Sequence, residues 1–95
     1  IIKYVINIVS LFALYGHLGQ SSIKNKKIGE YVSTNDEIGF IGSSAENGGW
    51  PPHLHFQLSL VKPKECDLPG VVSESNKKIA LKAFPDPRLV LGNLY

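Results

Sequence analysis

Three histidines carry the chemistry that this chain of 95 residues could perform. His53 and His55 lie one residue apart in the stretch GWPPHLHFQLSL, and His17 ends an earlier apolar run. On a β-strand, residues i and i+2 project from the same face about 7 Å apart, so the two imidazoles could address one site. Imidazole binds metals and accepts protons near neutral pH. The spacing is typical of a metal site or a catalytic pair, and also of a solvated surface strand.

The strand that carries the pair is predicted from strict alternation in HLHFQLSLV. A period of two predicts a half-buried strand with an apolar face toward the core and a polar face that holds the histidines. The polar face would comprise His53, His55, Gln57 and Ser59, and the apolar face Leu54, Phe56, Leu58 and Leu60. The preceding SSAENGGWPP reads as a loop because glycines tolerate positive φ and the prolines enforce an extended approach.

The elements upstream of this strand are predicted to be mostly β. The β-branched start, IIKYVINIVSLFAL, predicts one or two strands, and the polar residues 20–27 predict a loop or turn. Residues 28–44 combine short apolar pairs with glycines at the bends, a pattern that predicts short strands in a tightly curved sheet or barrel.

The C-terminal part changes character after Pro63. SESNKKIALKAF predicts a short amphipathic helix that is capped by Ser73 or Ser75 and ends before Pro85, and the remaining residues predict an exposed tail. The predicted fold is therefore mainly β, a small curved antiparallel sheet with a short C-terminal helix. We expect a β domain over residues 1–62, followed by a loop, helix and linker tail over 63–95.

Composition excludes several classes of function. A net charge of +2 with scattered lysines gives no phosphate-binding patch, so we expect no nucleic-acid partner. The apolar start is too short for a membrane helix, so no membrane partner is expected. The single cysteine, Cys66, cannot close an intrachain disulfide, and its neighbours Glu65 and Asp67 disfavour a reactive thiolate.

Three motifs in order, YGHL, GEYV with DEIGFIG, and PHLHFQ, resemble the second half of the lysostaphin-type (LytM) zinc endopeptidases. The resemblance covers about Leu14 to Leu60. It implies a partial barrel-sandwich core in which a sheet forms a groove over one zinc ion, with peptides of bacterial peptidoglycan as substrates, often cleaved at glycine. It also implies that His55 is a zinc ligand and that His17 and His53 are catalytic. Typical family members act in the cell envelope.

The chain departs from the family at the other two zinc ligands, which the family takes from an upstream His-x-x-x-Asp motif. This sequence has no such motif, and no acidic residue precedes Glu30. A start within a strand predicts a domain truncated at its N-terminus; a degenerate family member is the other interpretation. Both interpretations predict little peptidase activity and weak zinc binding. A metal site formed by all three histidines is the remaining alternative. A truncated sheet also predicts an exposed edge and a homodimer.

A non-catalytic role is the alternative, as a peptidase-like binding module or a linker within a multidomain enzyme. GWPPHLHFQ, LPGVV and FPDPRLVLG are similar to the segment that joins such a domain to a class III aminotransferase in fusion proteins, which would imply a cytoplasmic parent. GEYVSTNDEIGFIG also resembles the hairpins of lipoyl and biotinyl carriers, but it has no lysine to modify. The sequence is compatible with both an enzyme and a binding module.

Overall fold

A computed structural model describes residues 1–65, 67–69 and 73–92. Cys66 and its predicted inertness lie outside the described residues. The described chain divides into two compact units, Ile1–Tyr15 with Phe56–Tyr95, and Gly16–His55. The predicted division into 1–62 and 63–95 stays a prediction. The elements are strands β1 (Ile2–Ile6), β2 (Val9–Gly16) and β3 (His55–Ser59), helices α1 (Gln20–Ile23), α2 (Lys77–Ala83) and α3 (Arg88–Leu91), and a 3-10 turn (Glu74–Asn76) before α2.

The three strands form one antiparallel sheet in the order β1-β2-β3. β1 and β2 make a hairpin whose register runs from Ile2 opposite Ala13 to Ile6 opposite Val9. Asn7 in the connecting turn adopts φ 57, a left-handed conformation that asparagine tolerates better than most residues. The prediction of a mainly β chain with a small antiparallel sheet is confirmed. The described residues show no closed barrel.

The hydrophobic core lies around β2. Phe12, Ala13 and Leu14 are consecutive and all buried, so the central strand is covered on both faces. Leu58 on β3 and Leu68 complete the buried apolar side chains of the described residues. Since so few side chains are buried, we expect stability at the low end of the usual range for a domain of this size.

The predicted faces of the third strand are partly wrong. β3 begins at His55, so His53 precedes the strand, and Leu54 and Leu60 are 45% and 46% exposed. Ser59, placed on the polar face, is instead fully buried at 0% exposure. Its hydroxyl donates to the Val61 carbonyl (2.7 Å) and accepts from the Val61 amide (3.1 Å). Because these bonds satisfy the hydroxyl locally, its burial leaves no polar group unpaired.

The loop predicted over residues 20–27 begins with one helical turn, α1, and the short strands predicted over 28–44 are absent from the described residues. An isolated bridge between Leu18 and Ile41 is the extent of β pairing there. A side chain replaces further pairing, because the Phe40 amide donates to the Ser22 hydroxyl at 2.6 Å. A Cβ on Gly39 would clash with the Ser22 side chain, so glycine permits this close approach.

The predicted C-terminal helix is confirmed as α2, which ends before Pro85. The serine cap is not formed: Ser73 precedes the 3-10 turn, but its hydroxyl bonds the Ser75 hydroxyl (3.0 Å) instead of a backbone amide. The predicted tail contains one further helical turn, α3, where the Arg88 amide donates to the Asp86 carboxylate (2.9 Å). The described residues contain no helix with the length and apolar character needed to cross a membrane.

Candidate active site

The three histidines meet within the unit Gly16–His55. The ring centroid of His17 lies 4.4 Å from that of His53 and 5.8 Å from that of His55, with the planes tilted by 42° and 44°. Residues predicted to act together from separate motifs are therefore neighbours in space. His17 occupies the middle of the cluster, since it contacts both other rings.

His17 is held by its backbone. It adopts φ 61, an unusual left-handed conformation for a side-chain-bearing residue and one of the features that cluster at functional sites. Its carbonyl accepts a hydrogen bond from the Gly42 amide at 2.7 Å. A Cβ on Gly42 would lie 3.0 Å from the His17 carbonyl oxygen, so glycine is needed for the backbone to approach this closely. Gly42 thus helps to fix the backbone position of His17, from which the imidazole projects.

His55 stands at the start of β3 and is half-buried. A Cβ on Gly16 would lie 3.1 Å from the Cβ of His55, tighter than ordinary van der Waals contact. The absence of a side chain at Gly16 therefore makes room for His55 beside the end of β2.

His53 is exposed, and its Nδ1 lies 2.6 Å from the carbonyl oxygen of Pro51. A carbonyl can only accept a hydrogen bond, so Nδ1 carries the proton in the neutral ring. The lone pair is consequently on Nε2, which can accept a proton or bind a metal. Orientation of an active imidazole by a backbone carbonyl is a common arrangement in catalytic and metal sites.

Several hydrogen bonds and two glycines in the left-handed region stabilise the turn that supplies the Pro51 carbonyl. Gly48 and Gly49 adopt φ 87 and 93, and the Gly49 amide donates to the Ser44 carbonyl at 2.7 Å. The Asn47 side-chain amide also donates to the Pro51 carbonyl, at a long 3.4 Å. These contacts fix the direction of the carbonyl that orients His53.

Glu46 ties this turn to the start of α1. Its carboxylate accepts from the Gln20 amide (2.8 Å) and from the amide and hydroxyl of Ser43 (both 3.1 Å). The Gln20 amide, followed by the two Ser43 groups, lowers the pKa of Glu46 because each bond stabilises the charged carboxylate. Glu46 was missed from the sequence, although Ser43-x-x-Glu46 has the spacing of a capping box and could have indicated it.

The described residues do not provide a complete zinc site. No group of three or more histidine, cysteine, aspartate or glutamate side chains in the described part of the chain is placed to hold one ion. Structural and catalytic zinc sites take at least three protein ligands. His55 has the chemistry of one ligand, and the Glu46 carboxylate is occupied by hydrogen bonds. Asp36 and Glu37 are exposed, as expected for acids in a turn.

An apolar groove lies in the other unit, between the sheet and the C-terminal helices. It has a volume of about 590 Å³ and an aliphatic lining. Its residues include Ile6, Leu58, Leu60, Leu81 and Val90, with Lys82 and Asp86 as its charged groups. Asp86 is paired with Arg88, and the salt bridge lowers the pKa of that carboxyl chiefly through the Arg88 side chain. This groove holds no cluster of catalytic groups.

Comparison of the chain with models of known protein families, with curated proteins and with solved structures finds no match. The resemblance to the lysostaphin-type peptidases therefore rests on the motifs themselves.

Proposed function

We propose that the histidine cluster is the imidazole half of a lysostaphin-type peptidase site, with His55 as a zinc ligand and His17 and His53 as catalytic residues. The reaction is hydrolysis of a peptide bond, and the family substrate is a peptide of bacterial peptidoglycan. The observation that supports this most directly is the meeting of all three rings, with Nδ1 of His53 bonded to a backbone carbonyl.

His53 is suited to act as a general base. Its Nε2 lone pair is exposed, and the Pro51 carbonyl holds the ring in one orientation. A positioned imidazole that takes a proton from an attacking water contributes about 10²–10⁴-fold to a hydrolysis rate. The protonated ring can then return the proton to the leaving amine.

His17 is suited to stabilise charge. Its ring lies within 4.4 Å of the His53 ring, measured between centroids, so it borders the same reaction space. A ring N–H directed at the developing oxyanion of a tetrahedral intermediate supplies the electrostatic stabilisation that peptide hydrolysis requires.

Zinc binding requires ligands that this sequence does not supply. A His-x-x-x-Asp segment is absent. We therefore propose that the remaining ligands come from another polypeptide segment, and that this chain alone binds zinc weakly and hydrolyses peptides little. Cell-envelope localisation follows if the peptidase function is right.

Zinc titration in the presence of a chromogenic chelator tests the assignment of His55. We expect weak binding by the native chain, loss of that binding in His55→Ala, and retention in His53→Ala. Tight, stoichiometric zinc in the native chain would contradict the incomplete ligand set. Loss in all three single histidine variants would instead indicate a three-histidine site.

Hydrolysis is tested by adding a separately expressed segment that carries His-x-x-x-Asp from a lysostaphin-type domain. We expect zinc-dependent cleavage of a glycine-rich peptide, lost in both His53→Ala and His55→Ala, with zinc retained only in His53→Ala. If the mixture binds zinc through His55 but never cleaves, the catalytic assignment of His53 is wrong.

A non-catalytic binding or linker module is the second candidate. The lack of three convergent metal ligands in the described part of the chain favours it. It predicts that peptidoglycan peptides bind without cleavage under the same conditions. A linker within an aminotransferase fusion would be cytoplasmic and would bind neither zinc nor these peptides.

A further inference from the structure

The turn that orients His53 contains an asparagine followed directly by glycine, Asn47 before Gly48, and no other asparagine of the sequence has glycine after it. An asparagine side chain is thermolabile because the next backbone nitrogen can attack its amide carbon, and a Cβ on that next residue hinders the attack. Gly48 has no Cβ, and apart from its chain neighbours no heavy atom lies within 4 Å of the place where one would stand. The surroundings of Gly48 therefore leave room for the attack.

Hydrogen bonding distinguishes the Gly48 amide from the amides that follow other asparagines. The amide after Asn25 donates to the Ile23 carbonyl (3.1 Å), and the amide after Asn35 donates to the Ser33 carbonyl (3.0 Å). A bonded amide must first break that bond, whose net value corresponds to about fivefold in an equilibrium. In the part of the chain that the structure describes, the Gly48 amide has no acceptor. Its nitrogen is therefore available to Asn47 without the loss of a backbone hydrogen bond.

The side chain of Asn47 is held loosely. Its Nδ2 donates to the Pro51 carbonyl at 3.4 Å, which is longer than the usual N–H···O range. Its Oδ1 is buried and has no hydrogen-bond partner among the described residues. Because burial of an unpaired carbonyl oxygen is unfavourable, a rotation that moves the side-chain amide toward the Gly48 nitrogen loses little.

We propose that Asn47 is a site of spontaneous deamidation in the folded chain, with water and hydroxide as the reagents. Hydroxide removes the Gly48 amide proton, and the nitrogen attacks Cγ of Asn47. The N–Cγ bond forms and the Cγ–Nδ2 bond breaks. The departing nitrogen takes a proton from water and leaves as ammonia, which regenerates hydroxide and gives a succinimide. Water then hydrolyses either carbonyl–nitrogen bond of the ring, so that residue 47 becomes aspartate or isoaspartate.

The two products alter the turn that orients His53. Both replace the Nδ2 donor to the Pro51 carbonyl with a negatively charged carboxylate. Isoaspartate also carries the backbone through the former side chain, which adds one carbon atom before the Gly48 nitrogen. The backbone bond of the Gly49 amide closes the same turn, so the added atom displaces the Pro51 carbonyl from Nδ1 of His53. Deamidation therefore ends the orientation of His53 irreversibly, whether or not the protein is a peptidase.

Peptide mapping by mass spectrometry, after incubation at mildly alkaline pH, measures the conversion of each asparagine in the folded chain and in urea. The matched control is Lys26→Gly, which places glycine after Asn25, where the following amide can keep its bond to the Ile23 carbonyl. In urea we expect the two Asn–Gly pairs to convert at similar rates. In the folded chain, established by circular dichroism, we expect Asn47 to convert about fivefold faster than Asn25 or more. Equal rates in the folded chain would overturn the proposal, as would an Asn47 that converts only in urea.

The consequence for His53 is measured on the separated isoaspartate form by long-range proton–nitrogen NMR correlations. We expect the Nδ1–H tautomer of His53 to decline relative to the unreacted chain, by about fivefold in the tautomer ratio if the bond to the Pro51 carbonyl is lost. Asn47→Asp loses the amide donor without the added backbone atom, so we expect a smaller change there. An unchanged tautomer ratio in the isoaspartate form would overturn the link between Asn47 and His53.

Discussion

The orientation of His53 gives the sharpest test of the candidate site, through substitution of Gly49. Gly49 adopts φ 93 with no heavy atom within 4 Å of an added Cβ, so Gly49→Ala introduces backbone strain without a steric clash. Alanine in this region costs about 1–2 kcal/mol. The hydrogen bond from His53 to Pro51 has a net value of about 1 kcal/mol, which corresponds to an about fivefold shift of the equilibrium toward the Nδ1–H tautomer. The strain exceeds the bond, so we expect the turn to relax and the preference to fall.

Long-range proton–nitrogen NMR correlations measure the tautomer directly, at about pH 8.5, where imidazole is ordinarily neutral. We expect the Nδ1–H form of His53 to predominate in the native chain and to lose ground to the Nε2–H form in Gly49→Ala. Gly29→Ala is the matched control, because Gly29 has φ 86 and equally open surroundings but lies in a different turn. A predominant Nε2–H form in the native chain would refute the reasoning, as would an equal response to both substitutions.

Two further predictions concern the sheet. Leu58→Ala should lower the free energy of unfolding in urea by about 2–5 kcal/mol, because Leu58 is only 2% exposed. Leu60→Ala, at a half-exposed side chain, should lower it by about 1 kcal/mol or less. Equal losses would contradict the burial of Leu58 and the exposure of Leu60. Desolvation, followed by the Tyr4 hydroxyl bond, raises the pKa of Tyr15 to about 12 from 10.0. The unfolded chain then loses its proton first, so stability falls between about pH 10 and 12, by about 1 kcal/mol once solvent screening is allowed for. Tyr15→Phe should remove this decline in urea titrations and retain the edge-to-face contact with Phe56; an unchanged slope would contradict the assignment.

Local propensity was enough to predict one or two strands in the first apolar run, because β-branched residues are concentrated at its start, but it did not predict the turn that divides the run into a hairpin. It was not enough for Ser59, whose burial depends on two bonds to Val61 that a polar–apolar pattern does not express. The short strands predicted over residues 28–44 are absent from the described residues for a related reason. The Phe40 amide bonds the Ser22 hydroxyl and not a neighbouring strand, so the pairing is limited to the bridge between Leu18 and Ile41. The short apolar pairs and the glycines had indicated a sheet.

In the candidate site, too, part of the structure could be predicted from the sequence and part could not. Residue types and spacing indicated which histidines to consider, because imidazole chemistry is evident from the sequence. Their arrangement depends on backbone features that side-chain patterns do not reveal. These are the left-handed φ of His17, the close approach of Gly42 and the direction of the Pro51 carbonyl.

The positioning of the cluster by backbone has a consequence for zinc. A carbonyl orients His53, and glycines make room at His17 and His55, so part of the ordering entropy of the site is already spent in the folded chain. A ligand pair that arrives from another segment would meet imidazoles that need little rearrangement. The weak zinc binding expected of this chain then reflects the number of ligands and not their disorder. It follows that stiffening the turn around Gly49 should leave zinc affinity nearly unchanged, whereas addition of a His-x-x-x-Asp segment should raise it by orders of magnitude.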